Sequence, residues 1–91
     1  MGMTQMDLVQ LRSYATALES FKTRITTYCN NMETGIQSCS KYMMDATSQK
    51  ALQDGQKVVQ DIKACLNPSQ MLLDKIHNMI NIMQSQQDFM L

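Results

Sequence analysis

Residues 11–43 read LRSYATALESFKTRITTYCNNMETGIQSCSKYM, and this stretch decides the fold. Its apolar residues recur every seven positions in three neighbouring rows. The first row contains Leu11, Leu18, Ile25, Met32 and Cys39. The second contains Tyr14, Phe21, Tyr28, Gly35 and Tyr42, and the third contains Ala15, Lys22, Cys29, Ile36 and Met43. Such a stripe is typical of an amphipathic helix, which we predict over residues 5–44.

The second half of the chain repeats the same period. Its rows are Gly55, Ile62, Ser69, Ile76, Met83 and Met90, then Val58, Cys65, Leu72, Met79 and Gln86, then Leu52, Val59, Leu66, Leu73, Ile80 and Gln87. They predict a second helix over residues 49–88. Pro68 lies inside this pattern, lacks an amide hydrogen and clashes with the carbonyl four residues earlier. We therefore predict either a kink or a short break, with Asn67 as the cap and Pro68 as the first helical residue.

Capping residues mark the predicted helix ends. Thr4 with Asp7 resembles a capping box at the start of the first helix. The first stripe ends near Tyr42, and the run Asp45-Ala46-Thr47-Ser48 is rich in residues that cap helices, so we place the turn at residues 45–48. Two long helices joined by a short turn lie antiparallel. The sequence therefore predicts one all-α domain over residues 1–91, an antiparallel two-helix hairpin.

A turn near Ala46 also fixes which residues face each other. Gly35 would lie opposite Val58 and Val59, and Gly55 opposite residues 36–39, so that each glycine is packed against larger side chains. Cys29 would lie level with Cys65. The three cysteines are then either reduced core residues or, for Cys29 and Cys65 alone, partners in an intrachain disulfide.

The width of the stripe bears on assembly. A two-stranded coiled coil hides only two positions in seven, whereas this stripe occupies three, so we predict that the hairpin pairs with itself or with a related hairpin in a four-helix bundle. The row of Tyr14, Phe21, Tyr28 and Tyr42 is either core with its hydroxyls at the rim or an exposed recognition strip. The predicted core and interface residues are Leu11, Tyr14, Leu18, Phe21, Ile25, Tyr28, Met32, Ile36, Leu52, Val59, Ile62, Leu66, Leu73, Ile76, Ile80 and Met83.

Composition argues against several function classes. Eight basic and eight acidic residues are dispersed along the chain, which predicts no nucleic-acid binding. His77 is the single histidine, and no metal, cofactor or small-molecule site or catalytic set can be assembled around it. No run is long and apolar enough for membrane insertion or for a cleaved signal peptide. We therefore expect a non-enzymatic protein that is synthesised in the cytoplasm and is compatible with secretion by a specialised system.

The chain resembles the WXG family, the small early-secretory-antigen-like helical hairpins of type VII secretion. Residues 7–15, reading DLVQLRSYA, together with Phe21 resemble the first helix of that family. The segment 42–45, reading YMMD, stands where the family has its Trp-X-Gly turn, and the second helix then follows from Lys50. The chain is divergent: it contains no tryptophan and no tyrosine-based signal after its second helix.

The resemblance implies a dimeric bacterial hairpin that acts as a secreted substrate, an adaptor or a partner of a larger effector. An alternative is a structural or chaperone subunit of another secretion apparatus, of the type III needle, rod or chaperone kind. The segment Asn67-Pro68-Ser69 is faintly similar to the turn of needle subunits, although here it lies inside the second helix.

Overall fold

The computed structural model describes residues 5–90, with side chains up to residue 88. Across this range the chain is all-α, with no strand, and its helices are α1 at Gln5–Ser40, α2 at Ala46–Lys63 and α3 at Leu66–Met90. The all-α class predicted from the sequence is therefore confirmed. The predicted Thr4 cap lies outside the described residues.

The connection between α1 and α2 begins earlier than the sequence predicts. Helix α1 ends at Ser40, and the Cys39 carbonyl accepts hydrogen bonds from the amides of Tyr42 and Met43, at 3.0 and 2.9 Å. Helix α2 already begins at Ala46 because Asp45 occupies the N-cap position. The turn thus covers residues 41–45, and most of the predicted turn belongs to the first turn of α2.

The chain leaves the α-helical pattern between α2 and α3. The amide of Ala64 still donates to the Gln60 carbonyl at 3.0 Å, but the amide of Cys65 donates to Ile62, three residues back, at 3.0 Å. Pro68 explains the position, because its ring is incompatible with a helical carbonyl four residues earlier, at Ala64. Of the two predicted outcomes, the bend near Pro68 is the one observed, and α3 begins at Leu66 rather than at Pro68.

The chain divides into two compact units, each of which uses part of α1. The terminal unit comprises Met1–Lys22 and Pro68–Leu91, and the turn unit comprises Thr23–Asn67. In the terminal unit, Ala15, Leu73 and Ile76 form a buried cluster. Leu11, Leu18 and Ile80 pack against that cluster. Burial of these side chains stabilises the unit, at about 25 cal/mol per Å² of apolar area.

The turn unit has its own core between α1 and α2. Cys29 and Val59 are both fully buried, at 0% exposure. A Cβ atom on Gly55 would lie 3.5 Å from Cδ1 of Ile36, which confirms the predicted placement of this glycine. Gly35 is different, because a Cβ atom there would have no neighbour within 4 Å. The prediction that Gly35 packs against Val58 and Val59 is therefore wrong.

Candidate interaction surface

Polar contacts close one edge of the terminal unit. Arg12 Nη2 donates to Gln84 Oε1 at 2.6 Å, and His77 Nε2 lies 3.3 Å from Glu19 Oε1. Residue numbers rise along α1 while those of the partners fall along α3, as expected for antiparallel segments. We call this side the polar edge of the unit.

The turn unit has a polar edge of the same kind. Lys63 Nζ lies 2.5 Å from Glu33 Oε1, where it donates a hydrogen bond and forms an ion pair. The hydrogen bond to the Glu33 carboxylate raises the pKa of Lys63 above its usual value. The charges on this edge are thus matched within the chain.

The aromatic row, which follows α1 into the turn after it, is exposed. We use this name for Tyr14, Phe21, Tyr28, Gly35 and Tyr42. Its four aromatic side chains are between 44% and 84% exposed. Single exposed apolar residues are common on protein surfaces, but a regular row of large ones marks an interaction site. Of the two sequence-based interpretations, burial within the chain is excluded for this row, while its use as a recognition strip stays a prediction.

A second exposed row follows α2 and α3. We call it the aliphatic row, and it consists of Val58, Cys65, Leu72, Met79 and Gln86. Val58, Leu72 and Met79 are 48%, 39% and 42% exposed, and Cys65 and Gln86 are also exposed. This row, too, has the seven-residue period of the buried rows beside it.

Helix geometry places both rows on the same side of each unit. Along α1, Arg12 and Glu19 lie on one side of the buried row, whereas Tyr14 and Phe21 lie on the other side. Along α3, His77 likewise lies opposite the aliphatic row. Because the polar residues of the two helices are in contact, the exposed rows must flank the opposite edge of the terminal unit.

The turn unit has the same arrangement, with Glu33 and Lys63 on one edge and Tyr28 and Val58 on the other. We call this second side the apolar edge.

The predicted core and interface residues therefore separate into three groups. The buried ones are Val59, Leu73, Ile76 and Met83. The half-buried ones are Leu11, Leu18, Ile25, Ile36, Leu52, Ile62, Leu66 and Ile80, and the exposed ones are Tyr14, Phe21, Tyr28 and Met32. Leu8, 4% exposed, is a core residue that the sequence analysis missed, although it lies seven residues before Ala15 and continues that row.

None of the three cysteines forms a disulfide. The Sγ atom of Cys29 lies 3.9 Å from the Val59 carbonyl oxygen. Cys65 is exposed, and its thiol lies 3.9 Å from the Asp61 carbonyl of its own helical turn. The two thiols thus have different neighbours.

The two predicted turn residues differ in their contacts: Tyr42 is exposed, whereas Asp45 caps α2. Tyr42 is 84% exposed, directly after the end of α1. Asp45 caps α2: its Oδ2 accepts from the Ser48 amide at 3.0 Å and its Oδ1 accepts from Ser48 Oγ at 2.7 Å. The hydrogen bond from the Ser48 hydroxyl, followed by the one from the Ser48 amide, lowers the pKa of Asp45.

The part of the chain that the structure describes contains neither a metal-binding cluster nor a membrane-spanning helix. No three or more histidine, cysteine or acidic residues there are grouped so that they could hold a metal ion. No helix within residues 5–90 has the length and apolarity needed to cross a membrane.

Comparison of the chain with protein families, curated proteins and solved structures finds no match. The apolar edge therefore has to be interpreted from its own chemistry.

Proposed function

We propose that this protein is a non-enzymatic protein–protein interaction module whose apolar edge binds a helical surface of another polypeptide. The observation that carries the proposal is the exposure of the aromatic row. Its aromatic side chains remain at least 44% exposed although they belong to the first apolar stripe of the sequence. Removing such a row from water is favourable, by about 25 cal/mol per Å² of apolar surface.

The contrast between the two edges supports this interpretation. On the polar edge, side chains such as Glu33 and Lys63 find partners within the chain. On the apolar edge, Tyr28 and Val58 remain exposed beside buried neighbours of the same period. In such a hairpin, the side chains at two positions of each heptad pack within the chain, and those at the third position remain exposed for contact with a partner. Pairing of two such hairpins gives a four-helix bundle.

The cellular role that we propose is that of a WXG-like, secretion-associated protein: a secreted substrate, an adaptor or a partner of a larger effector. Support comes from the resemblance of residues 7–15 and Phe21 to the first helix of that family and from the connection between α1 and α2, which contains Tyr42. A partner-binding edge fits such a role.

Site-specific photocrosslinking in the source cells tests the proposal. A benzoylphenylalanine replaces Phe21 on the apolar edge or, as a matched control, Val9, which is 57% exposed on another face of α1. We expect a discrete crosslinked adduct from position 21 and none from position 9. Mass spectrometry of the adduct is expected to identify a helical protein, and for the secretion role a substrate or component of a secretion system. Equal crosslinking at both positions would exclude the apolar edge as the binding surface.

A further inference from the structure

We infer that Met79 makes the apolar edge of the terminal unit sensitive to oxidation, because conversion of its thioether to the sulfoxide weakens the contact between this edge and a partner. The inference rests on the proposed function and adds a means by which the proposed interaction is regulated. Met79 thereby couples binding to the oxidant concentration around the protein.

Met79 is the only methionine in the aromatic and aliphatic rows. It is 42% exposed, and Leu72, which lies one heptad earlier in the aliphatic row, is 39% exposed. On the α1 side of the same edge, Tyr14 and Phe21 are 51% and 44% exposed. These side chains lose contact with water when a partner covers the edge, so the thioether of Met79 belongs to the surface that is desolvated on binding.

The thioether of methionine is an apolar group that a peroxide oxidises in one step. A lone pair of the sulfur attacks one oxygen atom of hydrogen peroxide, the O–O bond breaks as the S–O bond forms, and the second oxygen leaves as water with the proton of the first. The sulfur gives up two electrons, and the product is a polar, chiral sulfoxide. Covering a sulfoxide that has no hydrogen-bond donor opposite it is unfavourable. A methionine sulfoxide reductase with a thiol reductant restores the thioether, so the change is reversible.

Two other methionines of α3 differ from Met79 in exposure or in position. Met83 is buried, at 2% exposure, so peroxide does not reach its sulfur while the unit is folded. Met71 is 57% exposed, but helix geometry places it on the side of α3 that faces away from the buried Leu73 and Ile76. A sulfoxide at Met71 therefore stays in water, whereas a sulfoxide at Met79 has to be desolvated for binding.

Photocrosslinking with oxidised and untreated protein tests the inference. Benzoylphenylalanine replaces Phe21 in a full-length chain that also carries Cys65→Ser, because Cys65 is an exposed thiol that peroxide oxidises as well. This parent protein is purified, treated with hydrogen peroxide, freed of peroxide with catalase and irradiated in a lysate of the source cells. Oxidation should lower the yield of the position-21 adduct about tenfold at limiting protein concentration.

Two volume-conserving variants of the parent assign this loss to one sulfur atom. Met79→Leu removes the oxidisable group from the edge, so its adduct yield should equal that of the parent before peroxide and should be unchanged after it. Met71→Leu is the matched control on another side of α3, and its yield should fall about tenfold, like that of the parent. Incubation of the oxidised parent with methionine sulfoxide reductase and dithiothreitol should restore the yield.

Several results would overturn the inference. An untreated parent that gives no adduct excludes the proposed function and the inference with it, whereas an adduct yield that peroxide leaves unchanged excludes the inference alone. Absence of a sulfoxide at Met79 in the peptide mass spectrum after peroxide shows that this site is not oxidised. A Met79→Leu variant that loses its adduct as the parent does, or a yield that stays low after the reductase, assigns the effect to another residue. Loss of the helical circular dichroism on oxidation assigns it to unfolding.

Discussion

At the scale of single residues, Gly35 and Gly55 both lie in the apolar stripes of the sequence, but they differ in whether the structure packs a side chain against them. Gly55 lies in a buried row, where a Cβ atom would be 3.5 Å from Cδ1 of Ile36. Gly35 lies in the aromatic row, where a Cβ atom would have no neighbour within 4 Å. The sequence showed both glycines in the apolar stripe but not which of the three rows the chain would bury. Only Gly55 is therefore a packing glycine within the chain.

This difference predicts opposite effects of substitution by leucine. Gly35→Leu gains helix propensity without a clash and should raise the free energy of unfolding by about 0.5–1 kcal/mol. Gly55→Leu forces a large side chain against Ile36 and should lower it by about 1–3 kcal/mol. Urea denaturation in dilute solution measures both, with Gly→Ala at each position as the control. A similar loss of stability for the two leucine variants would contradict the assignment of the rows.

At the scale of helices, the sequence predicted the period well and the helix ends less well. The rows of Leu11 and Ile76 follow from spacing alone, because the apolar pattern extends over many turns. The ends depend on local competition: Asp45 and Ser48 can both cap a helix, and only the hydrogen bonds in the structure show that Asp45 does so. Similarly, Pro68 predicts an interruption but does not fix which residue begins α3.

The Asp45 cap predicts a pH-dependent stability of α2. Because hydrogen bonds from Ser48 lower the pKa of Asp45 below its ordinary value of 3.8, the carboxylate stabilises the folded state fully above 3.8. This stabilisation is lost as the pH falls through the lower pKa of the folded state. Asp45→Ala should lower the melting temperature at pH 7 by about 5 °C, and by progressively less toward pH 2.

Asp45→Asn provides the matched control for this prediction. Asparagine caps a helix about as well as aspartate but does not titrate, so the variant should keep most of the stability at pH 7 and lose the pH dependence assigned to this residue. Melting curves followed by circular dichroism between pH 2 and pH 7 measure both variants. An alanine variant as stable as the wild type at pH 7 would show that the cap does not support α2.

At the scale of the whole molecule, the three-row stripe is the feature from which function is inferred. The sequence predicted that three rows exceed what two helices can cover, but it could not show which row would remain exposed. The structure shows which side is used, since Glu33 pairs with Lys63 in one unit and Glu19 with His77 in the other. Within each unit, the aromatic and aliphatic rows lie on the opposite side.

The most direct test of the apolar edge as an association surface is the molar mass in solution, measured by light scattering at micromolar concentration. The account predicts about 21 kDa for the wild type, twice the chain mass of 10.4 kDa. Phe21→Glu should reduce the mass to that of one chain while the helical spectrum is kept, and Val9→Glu, the same change on another exposed face, should leave the dimer intact. Equal masses for the wild type and Phe21→Glu would contradict the account.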